Sequence, residues 1–140
     1  MDIKQAYIQV LTKTNRIALA TAVNDIPNVR IVNFCFAADQ PDVLYFASDR
    51  SNQKVKEILS NAHVAFTTVP GEGIEHTRSN HATVVQSKQS IADMAAAFIA
   101  KIPGYDETIA AIGETLDVFE IHIADAFVIL DFETAGPVVF

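Results

Sequence analysis

Residues 16–48, R-I-A-L-A-T-A-V-N-D-I-P-N-V-R-I-V-N-F-C-F-A-A-D-Q-P-D-V-L-Y-F-A-S, read as three strand-like runs parted by two short turns, and that reading decides the fold. Arg16 to Val23 is a short apolar run, and N-D-I-P turns the chain, with Asn24 and Asp25 supplying turn chemistry and Pro27 ending it. Val29 to Ala38 is rich in β-branched and aromatic residues, D-Q-P-D closes it, and Val43 to Ser48 forms the third run. Three such runs on short connections form an antiparallel meander.

Working outward, the period changes on both sides. Ile3, Tyr7, Val10 and Leu11 recur at helical spacing, which predicts an amphipathic helix over residues 2–13 with Asp2 favourable near its N-terminus. After the meander, Val55, Ile58, Leu59 and Ala62 fall at i, i+3, i+4 and i+7, so a helix runs from a Ser51 cap to an Asn61 stop. His63 to Val69 returns to strand, P-G-E-G turns, and Ile74 to Gln86 is a longer, polar strand. Ser90 to Ile102 is a helix opened by S-x-x-D, Tyr105 to Glu114 a second one, and Val118 to Phe132 an apolar strand bent or broken near Ala124 to Ala126. About six strands interrupted by three or four helices, without regular β-α-β alternation, predict one mostly β domain over 1–140: an antiparallel barrel with flanking helices. No G-x-G-x-x-G or G-x-x-x-x-G-K-S/T is present, which argues against dinucleotide-fold and P-loop readings.

Composition sets further bounds. Half of the 140 residues are hydrophobic, and a chain of this size buries roughly two-thirds of its unfolded surface, so no disulfide or structural metal is needed. One cysteine, Cys35, excludes an internal disulfide and fits a reducing compartment. The M-D-I-K-Q-A-Y start lacks the pattern of a signal peptide, and no apolar run approaches the roughly 20 residues of a membrane span. The expectation is a soluble cytoplasmic protein. The net charge is −7, and all ten Lys and Arg lie at or before Lys101, a balance unsuited to general nucleic-acid binding.

Three segments carry candidate chemistry: Pro27 to Phe34, Leu44 to Asp49 and Arg50 to Leu59. Strand alternation puts Arg30, Val32, Phe34 and Phe36 on one face and Val29, Ile31, Asn33 and Cys35 on the other. A guanidinium among apolar neighbours needs an anion, and its planar fork suits a phosphate; it also has the option of snorkelling to solvent or pairing with an acid, and spacing leaves the two readings equal. The helix start at Ser51 adds free backbone N–H groups, with Asn52 and Gln53 as side-chain donors, Lys54 as charge and Ser48 just before it. His63, His76, His81 and His122 have no metal-ligand spacing, His76 and His81 fall on opposite faces of a regular strand, and Cys35 reads as a buried small hydrophobe.

The order P-x-V-R, L-Y-F-A-S, S-N-Q-K-V-K-E-I-L and N-A-H-V-A-F resembles the pyridoxamine 5'-phosphate oxidase-like family of FMN-binding split barrels, convincingly over residues 1–86. The resemblance implies a six-stranded antiparallel split β-barrel, FMN as cofactor, and a homodimer with the flavin at the interface. It implies that Arg30 and Lys54 hold the FMN phosphate with Ser48, Asn52 and Gln53 as further contacts. Arg30, Ile31, Val32 and Asn33, and Phe46, Ala47 and Ser48, would lie along the flavin and offer backbone groups to its ring. F420 and haem are the other cofactors it allows. The chain departs from true oxidases of the family in ending D-F-E-T-A-G-P-V-V-F, with no basic R-x-H-type substrate motif, and in carrying His81 where related sequences often have glycine. The expected function is an oxidoreductase passing electrons from a reduced nicotinamide or other small donor, with no side chain assigned as acid or base. The rivals are a non-enzymatic flavin or haem binder associated with stress, and a dimeric module that has lost its cofactor.

Overall fold

The computed structural model describes all 140 residues. A capping box opens α1 (Ile3–Lys13): the Asp2 carboxylate accepts from the Gln5 amide at 2.8 Å and the Gln5 side chain reaches back to the Asp2 amide. Its buried face of Ala6, Tyr7, Val10 and Leu11 packs into the core, where the Tyr7 hydroxyl donates to the Pro41 carbonyl at 2.8 Å. Next come β1 (Arg16–Val23) and β2 (Ile26–Asn33), joined by Asn24 and Asp25 at φ values of 52° and 63°. That left-handed pair is the tight hairpin turn whose twist matches the flanking strands, and Asn and Asp tolerate it. Pro27 lies inside β2 rather than ending the turn, which an edge strand permits because its lost N–H faces no partner.

The remaining elements are β3 (Cys35–Ala37), β4 (Gln40–Asp49), α2 (Gln53–Ser60), β5 (His63–Thr68), β6 (His76–Gln86), α3 (Ile91–Lys101), α4 (Tyr105–Ile112), β7 (Leu116–Ile129) and β8 (Ala135–Val139). The strands form one antiparallel sheet of eight in the order β2-β1-β5-β6-β7-β4-β3, with β8 on β7. The sheet curls on itself, bringing its edge strand β2 towards β4. The count is eight where the sequence predicts six, for two reasons. The run Val29 to Ala38 divides at Phe34, whose amide donates to the Asn15 carbonyl at 3.0 Å, so β2 and β3 pair with different neighbours; the terminal A-G-P-V-V forms β8. β7 runs unbroken through Ala124 to Ala126, because β4, β6 and β8 pair along its length.

The core lies inside the curl, with Phe46 stacked on Phe119 at 5.3 Å between centroids, both fully buried. A second cluster sits outside the sheet, where α3 and α4 cover β3 and β7 with Met94, Phe98, Ile102 and Tyr105. Cys35 belongs to it and is 1% exposed, although alternation groups it with the exposed Val29, Ile31 and Asn33; the helices cover that face only over β3. Lys101, in the last turn of α3, ties the layers together: its ammonium donates to the Leu11 and Thr14 carbonyls and lies 4.7 Å from the Phe34 ring centroid. No helix is long and apolar enough to cross a membrane.

Phe119→Ala is expected to cost about 3–5 kcal/mol, through lost transfer energy and the cavity left against Phe46. A lowered urea midpoint at an unchanged m-value checks it; a loss below about 1 kcal/mol would mean that the stack is not central to the core.

Candidate functional site

The curled sheet does not close. β2 pairs only with β1, and β4 beyond Tyr45 pairs only with β7, so Arg30 to Asn33 and Phe46 to Ser48 border an open seam. α2 begins four residues after β4 ends and packs on β1, which sets its first turn near β2.

Arg30 points to the same side of β2 as the buried Val32, and its side chain is 20% exposed. Nη1 donates to the Leu19 carbonyl at 3.3 Å and to Thr21 Oγ1 at 2.8 Å, while Nη2 donates to Glu57 Oε1. The counter-charge that a half-buried guanidinium requires is thus met within the chain, by the acid-pairing option of the sequence reading. Two Arg30 donors, Nε–H and one N–H of Nη2, have no partner. Partial burial pushes the Glu57 carboxyl up, but hydrogen bonds from Thr21, Asn28 and Arg30, with the Arg30 charge, outweigh it and hold it below the usual range. Lys54 lies on the same first turns of α2, and burial, then the Arg30 charge, lowers its pKa.

The helix cap is Asn52, one residue beyond the expected Ser51, with its Oδ1 accepting from the Lys54 amide at 3.0 Å. Ser51 instead binds Asp49 through its amide at 2.9 Å and its hydroxyl at 2.6 Å, contacts that lower the Asp49 pKa. The amides of Ser51, Asn52, Lys54 and Val55 all have acceptors in Asp49 or Asn52, so the expected cluster of free N–H groups is not present. What remains for an anion is the Gln53 amide and the side chains of Arg30, Lys54 and the exposed Gln53. Ser48 is buried and donates to the Asp49 carbonyl at 3.1 Å. Val32 and Phe46 belong to the core and Ala47 packs under α3 and α4, while Ile31 and Asn33 are exposed. These five positions border the seam chiefly with main chain.

Sequence reasoning missed Glu57, together with Thr21 and Asn28, which donate to it at 3.0 and 3.4 Å. The signal was available: Glu57 is the one acid of α2 and stands one turn after Lys54. Cys35 agrees with its reading as a buried hydrophobe, since burial pushes its thiol up to about 12, against a small opposing effect of Lys101. The histidines form no metal cluster. His76 and His81 do not take opposite faces: a bulge in β6 after Arg78 shifts the register, so Thr77, Ser79 and Ala82 turn inward and both histidines outward.

A curled antiparallel sheet with an open seam, helices on its flanks and a cationic pair at one end of the seam defines a split barrel. The chain belongs to the pyridoxamine 5'-phosphate oxidase-like family, whose sequence profile matches residues 10–134. Solved structures share the fold. A haem-binding protein from Mycobacterium smegmatis superposes with a TM-score of 0.73 at 10% identity over 99% of this chain, which spans 58% of that protein. General stress protein 26 from Bacillus anthracis gives 0.72 at 16% identity over all of both chains. An FAD-binding protein from Mesorhizobium loti gives 0.66 at 15% identity, over 90% of this chain and 92% of the other. No curated protein sequence matches the chain.

The folded Glu57 carboxyl titrates below its unfolded value, so its interactions stabilise the fold above the unfolded pKa of roughly 4.3 and are lost as pH falls through the lower folded value. Glu57→Gln should therefore lose more stability at about pH 6 than at about pH 3, narrowing the gap between the two urea midpoints relative to wild type. An unchanged gap would show that the carboxylate is not tied to Arg30 in solution.

Proposed function

We propose that residues 1–140 form a single FMN-binding flavoprotein domain that passes electrons between a reduced nicotinamide, or another small donor, and an acceptor. The observation that carries this reading is the pair of unpartnered Arg30 donors next to Lys54 at the end of the open seam. An anion there would complete the guanidinium and relieve the cost of keeping Lys54 charged. A phosphate dianion suits both, with Gln53, Asn52 and Ser48 close by in sequence. The main chain of 30–33 and of 46–48 supplies polar groups along the seam for the edge of a flat heterocycle. Bound there, FMN would supply the redox chemistry, and the polypeptide would anchor, orient and shield it.

Flavin is favoured over haem by the side chains at the seam. Haem iron needs an axial ligand, and none of residues 30–33 and 46–48 along the seam is His, Cys, Met or Tyr. Three of the four histidines are engaged elsewhere: His76 with the Ile74 carbonyl, His81 with Asp125 and His122 with Glu120. A true pyridoxamine 5'-phosphate oxidase is disfavoured, because β8 and the residues before it carry no basic group for a phosphate ester. A homodimer is supported by the outer face of β2, an edge strand on which Ile26, Val29 and Ile31 are 71%, 63% and 52% exposed.

A second reading, a non-enzymatic flavin or haem binder, draws support from the haem-binding and stress proteins that share the fold. Anaerobic addition of reduced nicotinamide separates the two, since only an oxidoreductase bleaches its flavin catalytically. The absorbance spectrum of the purified protein distinguishes flavin, F420 and haem.

The double variant Arg30→Ala/Lys54→Ala is expected to weaken FMN binding roughly a hundredfold or more, as two charge-assisted contacts are lost. Circular dichroism checks that the fold persists. Lys54→Ala alone, which leaves the Arg30–Glu57 pair intact, should weaken FMN about tenfold or more. Full flavin content in both variants would place the phosphate elsewhere.

A further inference from the structure

We propose that Glu57 determines how strongly the end of the seam holds a phosphate: its carboxylate occupies the place of a counter-ion on Arg30 and sets a negative charge against the incoming dianion. The inference rests on the phosphate reading of that site and concerns a residue which that reading leaves outside the ligand's contacts.

Four atoms close a ring on one edge of the Arg30 fork. Nη1 donates to Thr21 Oγ1 at 2.8 Å, the Thr21 hydroxyl donates to Glu57 Oε1 at 3.0 Å, and Nη2 donates to the same oxygen. The Leu19 carbonyl takes the other Nη1 hydrogen at 3.3 Å. The ring occupies the Nη1–Nη2 edge, so the two hydrogens left over, on Nε and Nη2, lie side by side on the adjoining edge. A phosphate meets that edge through two of its oxygens and shares Nη2 with Glu57. The carboxylate has little freedom to swing aside. Thr21, itself buried, holds one oxygen, and Asn28 Nδ2 donates to the other at 3.4 Å. With the Glu57 side chain only 14% exposed, solvent screens its charge weakly.

The charged groups at this end are Arg30 on β2, Lys54 and Glu57 on α2, and Asp49 at the end of β4, which is engaged by Ser51. Arg30, Lys54 and Glu57 are two cations and one anion, a net charge of +1, which is half that of a phosphate dianion. With Glu57 uncharged the same three positions carry +2 and match it. Glu57 thus keeps Arg30 in place when no anion is bound and weakens the anion that arrives.

The test compares FMN with riboflavin, which has the same ring and no phosphate, by fluorescence titration of the full chain at about pH 7.5, where the ester is a dianion. Glu57→Gln keeps the shape of the side chain and should tighten FMN about tenfold while leaving riboflavin within about twofold. Glu57→Asp, which keeps the charge, should not tighten FMN. An unchanged FMN affinity in Glu57→Gln, a shift common to FMN and riboflavin, or equal tightening in Glu57→Asp would overturn the proposal. If wild type binds neither flavin, the flavin reading fails by itself, and inorganic phosphate becomes the probe. Phosphate should then raise the thermal midpoint of Glu57→Gln more than that of wild type, relative to chloride at equal ionic strength; an equal rise, or none, defeats the proposal. If Glu57→Gln does not fold alone, phosphate or FMN, and not riboflavin, should restore its circular dichroism, and failure of both anions to do so counts against the proposal in the same way.

Discussion

A guanidinium cannot lie between Leu19, Thr21 and Val32 without a counter-charge, and the place of Glu57 follows from that constraint. The pair joins the edge strand of the sheet to α2, two elements that no strand pairing connects. Desolvating one charge alone would be strongly unfavourable, so Arg30 and Glu57 are stable only together, with Thr21 and Asn28 completing the carboxylate's contacts. With α2 held against β1 and β2, the first turn that carries Lys54 is held as well, and the end of the seam acquires two cations and a wall. The same pair leaves part of the Arg30 fork unused. Structural anchoring and ligand capacity thus share one side chain.

Much of the fold could be read because local chemistry agreed with tertiary need. Asn24-Asp25 specifies a tight hairpin turn, and Asp2 and Ser90 each begin a helix with a reciprocal cap. The misreadings occurred where local signals were neutral. Ser51 and Asn52 are equally good caps, and only the competing claim of Asp49 on Ser51 decides between them. Phe34 divides β2 from β3 with nothing in its composition to mark it, since the division depends on Asn15 in another element. The bulge in H-T-R-S-N-H lacks glycine and is fixed by the distant backbone of Asp125.

The site was legible to a similar degree. Arg30 and Lys54 stand out by residue type and by order along the chain, and the structure places both near the start of α2. The missing partner was Glu57, a common helix-surface residue whose significance arises only when β2 and α2 meet. The backbone amides expected to face a ligand are, except for that of Gln53, consumed by Asp49 and Asn52, a local competition that the pattern S-N-Q-K does not reveal.

The central strand β7 has a consequence for how the chain folds. It pairs with β4 over residues 43–49 and with β6 over 76–86, yet it is the second-last strand in sequence. Without it β4 and β6 both present unpaired edges, and no strand pairing joins β2-β1-β5-β6 to β3-β4, so closing the sheet depends on long-range pairing that is costly in loop entropy. Exposed edges of this kind invite pairing between chains. In the finished barrel residues 116–129 cover both of those edges at once.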